Sequence, residues 1–501
     1  MWTGVEGAER VAVTQHPVPV PHSMTTRNAP PTPRWVIILL AVGAQAALAL
    51  ASKNAPLLGL AHAIGVVAVG LYAVGRRNIT LVTCLCAYLV GCEVLWRQVR
   101  APLYYLFAPY AIILLSAFVV LAVIGRLGRD ARLSLMLIAL LIPSIVTTIR
   151  TAGSDSRELI AFALSGPAAL AAFVAFTSQM RATAHAYRLI LWTLLVSAVG
   201  PLAIAISDVF SAVAAEGSIK FSDQSNFTTS GGFGPVQVSA VLGLGVLVAL
   251  LLTLMEPDRT SRVIAALMAF VFAVQSLLTF SRGGMTSVAI AVSALAITQA
   301  RNRRVRNRVL VIVAIALSLG YFLVLPWLSD FTGGASDKRF SDTQSARTEL
   351  AANDAEIFGR NILFGVGPGM IKFQRLTFDV CKLRSDNCAQ EASSHTEYTR
   401  MLGEHGIPGL LAIIVMAVLA FRAVRNAGTN RPYAVAFMAW AIAQMFYANL
   451  RVVAVPFAFG IAFLQIRAPD DEPGAGQDAG ADIDPRALPG AGPSTGVPTT
   501  A

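Results

Sequence analysis

Apolar positions fall along this chain in long uninterrupted blocks. They fill 35–52, 55–74, 78–96, 103–124, 133–149, 158–177, 187–209, 235–255, 262–280, 284–300, 309–328, 407–421, 433–450 and 452–466. A helix needs roughly 20 mainly apolar residues to cross a bilayer. In lipid the backbone polar groups must be satisfied within the element, which excludes open strands. The pattern therefore predicts an all-α polytopic membrane protein of about 12–14 transmembrane helices. Only Arg451 separates the last two runs.

One long polar segment, 329–406, interrupts the series. The expected organisation is a disordered amino terminus over 1–34, helices over 35–328 and a large external loop over 329–406. C-terminal helices over 407–466 and a disordered tail over 467–501 complete it. The first run is followed by further spans and reads as an uncleaved anchor, and Met24 is a second candidate start. The tail is rich in Ala, Gly, Pro and Asp. Its Asp482-Ile483-Asp484 looks like a nucleotide-sugar metal pair but lacks a fold around it.

Composition agrees, with 55% apolar and 13% charged residues and a mean hydropathy of +0.64. With the amino terminus in the cytoplasm, twenty-two of the 39 Lys and Arg fall in the termini and cytoplasmic loops, eight in short external loops and nine in 329–406. That asymmetry is the positive-inside rule, which does not count long loops. The net charge of +11 is thus topology, and a nucleic-acid partner is not called for. Cys84, Cys86 and Cys92 sit within one span as small packing residues. Cys381 and Cys388, in the external loop, are candidates for a disulfide in an oxidising compartment, and no His stands near them at metal-ligand spacing.

Candidate chemistry gathers on the external side. Arg282 stands between two apolar runs, where a cation is costly unless it faces a polar cavity; the plainer role is punctuation of a helical hairpin. In the loop, 344–358 reads as a helix carrying Arg347 and Asp354, with Asp342 or Thr343 as cap. Gly365, Gly367 and Gly369 form a Gly-rich turn that lacks the Gly-Lys-Ser/Thr of a P-loop; it is a glycan or phosphate contact or simply a tight connection. Ser394-His395-Thr396-Glu397 has the form of a capping box, with Ser394 as N-cap and Glu397 reaching back. That places His395 at the first helical position, where the dipole favours anions and a neutral imidazole. His405, at the other end of that helix, reads as a partner of the C-terminal dipole. Glu93 precedes Arg97 by four residues, the spacing of a helical ion pair, with a structural role favoured. Arg282, Arg347, His395, the glycine turn and Arg451 thus outline a cationic pocket with one neutral base, suited to a lipid-linked diphosphate.

Ser-Arg-Gly-Gly after a span, Gly-Val-Gly-Pro-Gly, and Ser-His-Thr-Glu-Tyr followed by Glu-His-Gly-Ile-Pro-Gly together resemble the O-antigen ligase and Wzy-type polysaccharide polymerase superfamily. Residues 226–420 carry the resemblance, including Gly231-Gly232-Phe233-Gly234-Pro235. The chain departs from that pattern where Val236 follows Pro235 and the nearest upstream cation is Lys220. The resemblance implies a GT-C-like membrane glycosyltransferase of the bacterial inner membrane. Its donor would be an undecaprenyl-diphosphate-linked oligosaccharide, used without metal or cofactor. It also implies a diphosphate clamp of Arg282 and Arg347, with Arg451, Ser394 and the turn as further candidates for diphosphate or glycan contact. His395 would be the base and Glu397 the reserve. The reading preferred from sequence is an exopolysaccharide or O-antigen polymerase, working beside a flippase and a chain-length regulator. A ligase acting on lipid A–core, a protein-glycosylating relative, a polysaccharide flippase or transporter, and a non-catalytic membrane subunit stay open.

Overall fold

The structure is a computed structural model that describes residues 33–299 (apart from 218, 220, 222 and 223), single positions between 307 and 318, and 320–336, 346–377, 394, 396–467 and 483–484. Its framework is helical. The first group is α1 (Arg34–Asn54), α2 (Pro56–Gly75), α3 (Ile79–Gln98) and α4 (Phe107–Val119), the last widened into a π turn over Val120–Ile124. Then come α5 (Arg129–Leu141), α6 (Ile145–Ala152), α7 (Ser156–Thr177), α8 (Ala184–Glu216), α9 (Pro235–Met255), α10 (Arg259–Leu278) and α11 (Arg282–Thr298). After α12 (Leu325–Phe331), the long polar segment supplies α13 (Ala346–Arg360), α14 (Ile371–Thr377) and α15 (Glu397–His405). The chain closes with α16 (Ile407–Asn426), α17 (Arg431–Met445) and α18 (Ala454–Ile461).

Among the described residues, nine helical stretches are long and apolar enough to cross a membrane, and α11 follows at 17 residues. The protein is a polytopic all-α membrane protein. The run 309–328 lies largely outside the described residues. The run 133–149 is broken into α5 and α6 around Pro143, because proline has no N–H to offer and its ring clashes with the preceding turn. The two last runs yield helices of only 15 and 8 residues, the second buried at every position.

Local signals set the boundaries. Asn78, Thr183 and Asp258 cap α3, α8 and α10 by accepting backbone N–H bonds from Leu81, Ala186 and Ser261. Pro56, Pro235 and Pro408 open α2, α9 and α16 at positions that need no donor. The core centres on α3 against α8 and on α9 against α10 and α11. Small residues allow the closest approaches: a Cβ on Gly91 of α3 would meet the Ser197 carbonyl carbon of α8 at 2.3 Å. Cys84, Cys86 and Cys92 are buried free thiols in α3.

The polar segment has its own small core. Ile357, Val366, Met370 and Ile371 cluster against Leu159 of α7 and Ala152 of α6, so α13, α14 and α15 are docked on the bundle. They sit at the end where α3 and α10 finish and α9 and α11 begin. At the other end a short sheet pairs Arg181–Ala182 in parallel with Gln465–Ile466 and antiparallel with Ile483–Asp484.

Candidate functional site

Helix α15 is capped by Thr396, whose hydroxyl accepts the Thr399 N–H at 3.2 Å. The expected box therefore moves by two residues: Ser394 is buried but is not the cap, and Glu397 is the first helical residue. Glu397 does not reach back because its carboxylate is engaged elsewhere. One oxygen accepts the Leu450 N–H at 3.2 Å and the other lies 2.6 Å from the Arg400 guanidinium. His395 falls before the cap rather than in the first turn, and is itself outside the described residues. Cys381 and Cys388 are outside them too.

The buried face of α15 is a charge cluster. Arg400 lies between Glu397 and Glu404, the latter at 3.2 Å, and points toward the Ala163 carbonyl of α7 at 3.5 Å. Although burial opposes its charge, the two carboxylates raise the Arg400 pKa, while burial raises that of Glu404 against the pull of Arg400. His405 is buried, with Nδ1 2.5 Å from the Ser144 hydroxyl. Burial, then the Arg400 charge, lowers its pKa to about 3. A neutral imidazole cannot partner the helix dipole by charge, so the expected role of His405 is replaced by a packing and hydrogen-bonding one.

The glycine turn plugs the space between α15 and the α6–α7 corner. Gly365 and Gly367 have φ of 65° and 98°, which L side chains rarely adopt. Cβ atoms there would meet the Glu404 carbonyl carbon at 2.4 Å and the Thr148 hydroxyl at 2.4 Å. The Gly365 and Gly367 amides donate to the Asn361 and Glu404 carbonyls, and the Gly369 amide donates to the Glu404 carboxylate. None of these amides is directed at a ligand. The turn is the tight connection rather than the phosphate contact, because its donors are taken by the protein.

Arg282 opens α11 after a left-handed Phe280. The two glycines behind it explain themselves. Gly284 packs on Ser239 of α9, where a Cβ would meet the carbonyl oxygen at 2.1 Å, and Gly283 packs on the Tyr447 ring. The Ser239 hydroxyl donates to the Ser281 carbonyl at 2.9 Å and accepts the Gly284 N–H at 3.2 Å. The Gln444 amide donates to the Gly283 carbonyl at 3.1 Å. Arg282 is thus held at the junction of α9, α11 and the turn after α17. Arg347 lies in the first turn of α13, which packs on α15 through an Asp354–Thr399 hydrogen bond of 3.0 Å; its side chain is outside the described residues.

Arg451 sits in the turn between α17 and α18, over the Phe162 ring at 4.6 Å. It makes no hydrogen bond or ion pair among the described residues. Burial, then the nearby Arg400 charge, pulls its pKa down from the usual arginine value. Beside it the expected Glu93–Arg97 pair forms at 2.6 Å, and the second Glu93 oxygen accepts the Val453 N–H at 2.7 Å. The Glu397 and Glu404 carboxylates act on Arg451 only through space and offset that lowering in part, so its donors could meet an anion.

A larger cavity of about 500 Å³ opens at the opposite end, lined by Arg129, Arg181 and the Asp130–Arg422 pair among others. Among the described residues its lining holds no histidine and no carboxylate besides the paired Asp130. Among the described residues no group of three or more His, Cys, Asp or Glu is arranged to hold a metal ion.

Residues 265–414 match the family model described as O-antigen ligase (Wzy_C). That segment, a little under a third of the chain, is similar to the O-antigen ligase family. The matched segment begins within α10, contains Arg282, Arg347 and His395, and ends in α16. No curated protein matches the chain. Arg400 and Glu404 are the residues sequence reasoning missed; the Glu397, Arg400, Glu404 spacing of one helix face was their only signal.

Proposed function

We propose that this protein is a GT-C-like glycosyltransferase of the bacterial inner membrane, with its site on the periplasmic face, that moves a glycan from undecaprenyl diphosphate to an acceptor hydroxyl. The observation that carries the reading is Arg451: a half-buried guanidinium with no hydrogen bond or ion pair among the described residues, at the end of the bundle where Arg282 starts its helix. The charge asymmetry of the loops supports that end as the external one.

The chemistry is a displacement at the anomeric carbon. The acceptor oxygen forms the new bond while its proton passes to a base, for which His395 is the candidate. The bond from carbon to the diphosphate oxygen breaks, and the electron pair leaves with the diphosphate. Arginine forks meet that growing charge with charge-assisted hydrogen bonds of about 1.5–3 kcal/mol each. A positioned base contributes about 10²–10⁴-fold. Arg282, Arg347 and Arg451 are the clamp. A single displacement inverts the anomeric centre.

Polymerase and ligase share this donor and differ in the acceptor. The family match supports the ligase reaction ahead of the polymerase preferred from sequence, with lipid A–core as the acceptor class. A flippase would carry its polar groups along a midplane path, whereas here they gather at one end. The test is complementation of a deletion strain with wild type, Arg282→Ala, Arg347→Ala, His395→Ala and Arg451→Ala, reading surface-glycan length on a gel at equal membrane levels. Loss of attached glycan with long unattached chains supports the ligase; single repeats move the assignment to the polymerase. Full glycan in all four variants overturns the site and the enzyme reading.

A further inference from the structure

We propose that the aromatic cavity beside Arg97 is a sugar subsite that seats a neutral pyranose ring against Tyr105 and Phe233. The proposal rests on the transfer reading above and extends it from the phosphate to the glycan. The cavity is about 190 Å³ and is lined by Trp96, Tyr104, Tyr105, Phe107 and Phe233 around the Glu93–Arg97 pair. Apolar walls with a few convergent polar groups are the usual make-up of a small-molecule site.

Two observations decide its chemistry. First, the Arg97 charge is already matched by the Glu93 carboxylate. Its guanidinium is bound to Glu93 at 2.6 Å, to the Tyr105 carbonyl at 2.9 Å and to Gln237 at 3.2 Å. Among the described lining residues the one other cation, Arg100, is exposed. The interior is neutral, which suits hydroxyls and C–H faces rather than phosphate. The Glu93 side chain is itself buried, one oxygen on Arg97 and the other on the Val453 N–H, so it serves to hold the wall neutral.

Second, the Tyr105 ring is fixed although it is 41% exposed. Arg97 stacks on it at 3.9 Å, Gln237 donates to its hydroxyl at 3.2 Å, and Phe162 lies 5.9 Å away. A tyrosine that merely anchors at the bilayer interface needs none of these clamps. A preset aromatic face is what a weakly held ring requires, since ordering it in advance removes a cost of binding.

The cavity also adjoins the proposed anion receptor. Phe162 carries Arg451 at 4.6 Å and Tyr105 at 5.9 Å, and Glu93 holds the Val453 N–H. A ring in the cavity therefore sits one aromatic side chain away from a diphosphate at Arg451. The ring comes either from the donor glycan or from the acceptor.

The experiment uses the full chain in nanodiscs and two probes: methyl glycosides of hexoses and N-acetylhexosamines, read by saturation-transfer NMR, and inorganic pyrophosphate, read by calorimetry. Tyr105→Ala and Phe233→Ala should abolish the glycoside signal and leave pyrophosphate affinity within twofold, while Tyr105→Phe keeps the signal. Arg451→Ala should do the reverse. In the transfer assay Tyr105→Ala should raise one KM at least tenfold: the acceptor's if the acceptor supplies the ring, the lipid donor's if the donor does. Glycoside binding unchanged in both alanine variants, with each protein monodisperse, overturns the subsite whatever the reaction. Glycoside binding lost as expected but Arg451→Ala without effect on pyrophosphate or transfer leaves the subsite and removes the reading it was built on.

Discussion

The Arg451 guanidinium lies 4.6 Å over the Phe162 ring and has no carboxylate partner among the described residues. Burial and the Arg400 charge oppose its ionisation, and the Glu397 and Glu404 carboxylates offset them only in part. Arg451→Ala should lower glycan transfer on the order of tenfold to a hundredfold, the worth of one charge-assisted hydrogen bond. Arg451→Lys should fall between, because it retains charge but loses the planar fork. Rates measured at equal protein in membranes check this, and wild-type turnover in the alanine variant would refute it.

Removing one member of the α15 charge cluster should be worse than removing all of it. Glu397→Gln leaves Arg400 short of a buried partner, a change that costs about 3–5 kcal/mol in comparable pairs. The combined Glu397→Gln, Arg400→Met, Glu404→Gln variant should recover most of the loss in stability. Thermal unfolding in detergent reads both, and a single variant as stable as wild type would remove the cluster as a structural element.

Acid should loosen this end of the protein through His405. Its folded pKa is about 3 against an ordinary 6.5, so between those values the unfolded chain binds the proton that the folded chain refuses. Stability from this residue is complete above pH 6.5 and falls as pH drops toward 3, by about 2 kcal/mol at pH 5. His405→Gln should flatten that part of the melting-temperature profile. An unchanged slope between pH 4 and 6.5 would count against the buried neutral histidine.

Gly365→Ala should release the docked segment, since it adds strain at φ 65° and a contact of 2.4 Å with the Glu404 carbonyl carbon. Gly359→Ala is the matched control: nothing lies within 4 Å of that position in α13, and alanine favours a helix interior by about 0.5–1 kcal/mol. Limited proteolysis should cut the first variant faster and the second no faster than wild type. Equal rates in both would mean that the turn does not secure the segment.

Much of this arrangement could be read from local spacing. The Glu93–Arg97 pair needs only one helical turn, and the helix expected at 344–358 is found at Ala346–Arg360. The capping box was misread because two hydroxyl residues competed for one role. Thr396 won since Glu397 was drawn to Leu450, 53 residues away. No local pattern carries such a contact. The same holds for the Tyr105 cavity, whose walls come from α3, the loop after it, the start of α4 and the turn before α9. Arg400 was overlooked because an arginine with acidic neighbours on a helix normally reads as a solvated face, and only burial changes its meaning.

Helix α9 begins at Pro235, and its first two turns grip both sides of the site. Gln237 binds Arg97 and Tyr105, while Ser239 binds Ser281 and Gly284. Residues two apart lie about 200° around a helix, so these grips are on opposite flanks of one spindle. Rolling α9 about its axis must draw Tyr105 one way and the start of α11 the other. Gln237 and Ser239 thus tie the Tyr105 side and the Arg282 side of the site to a single helix.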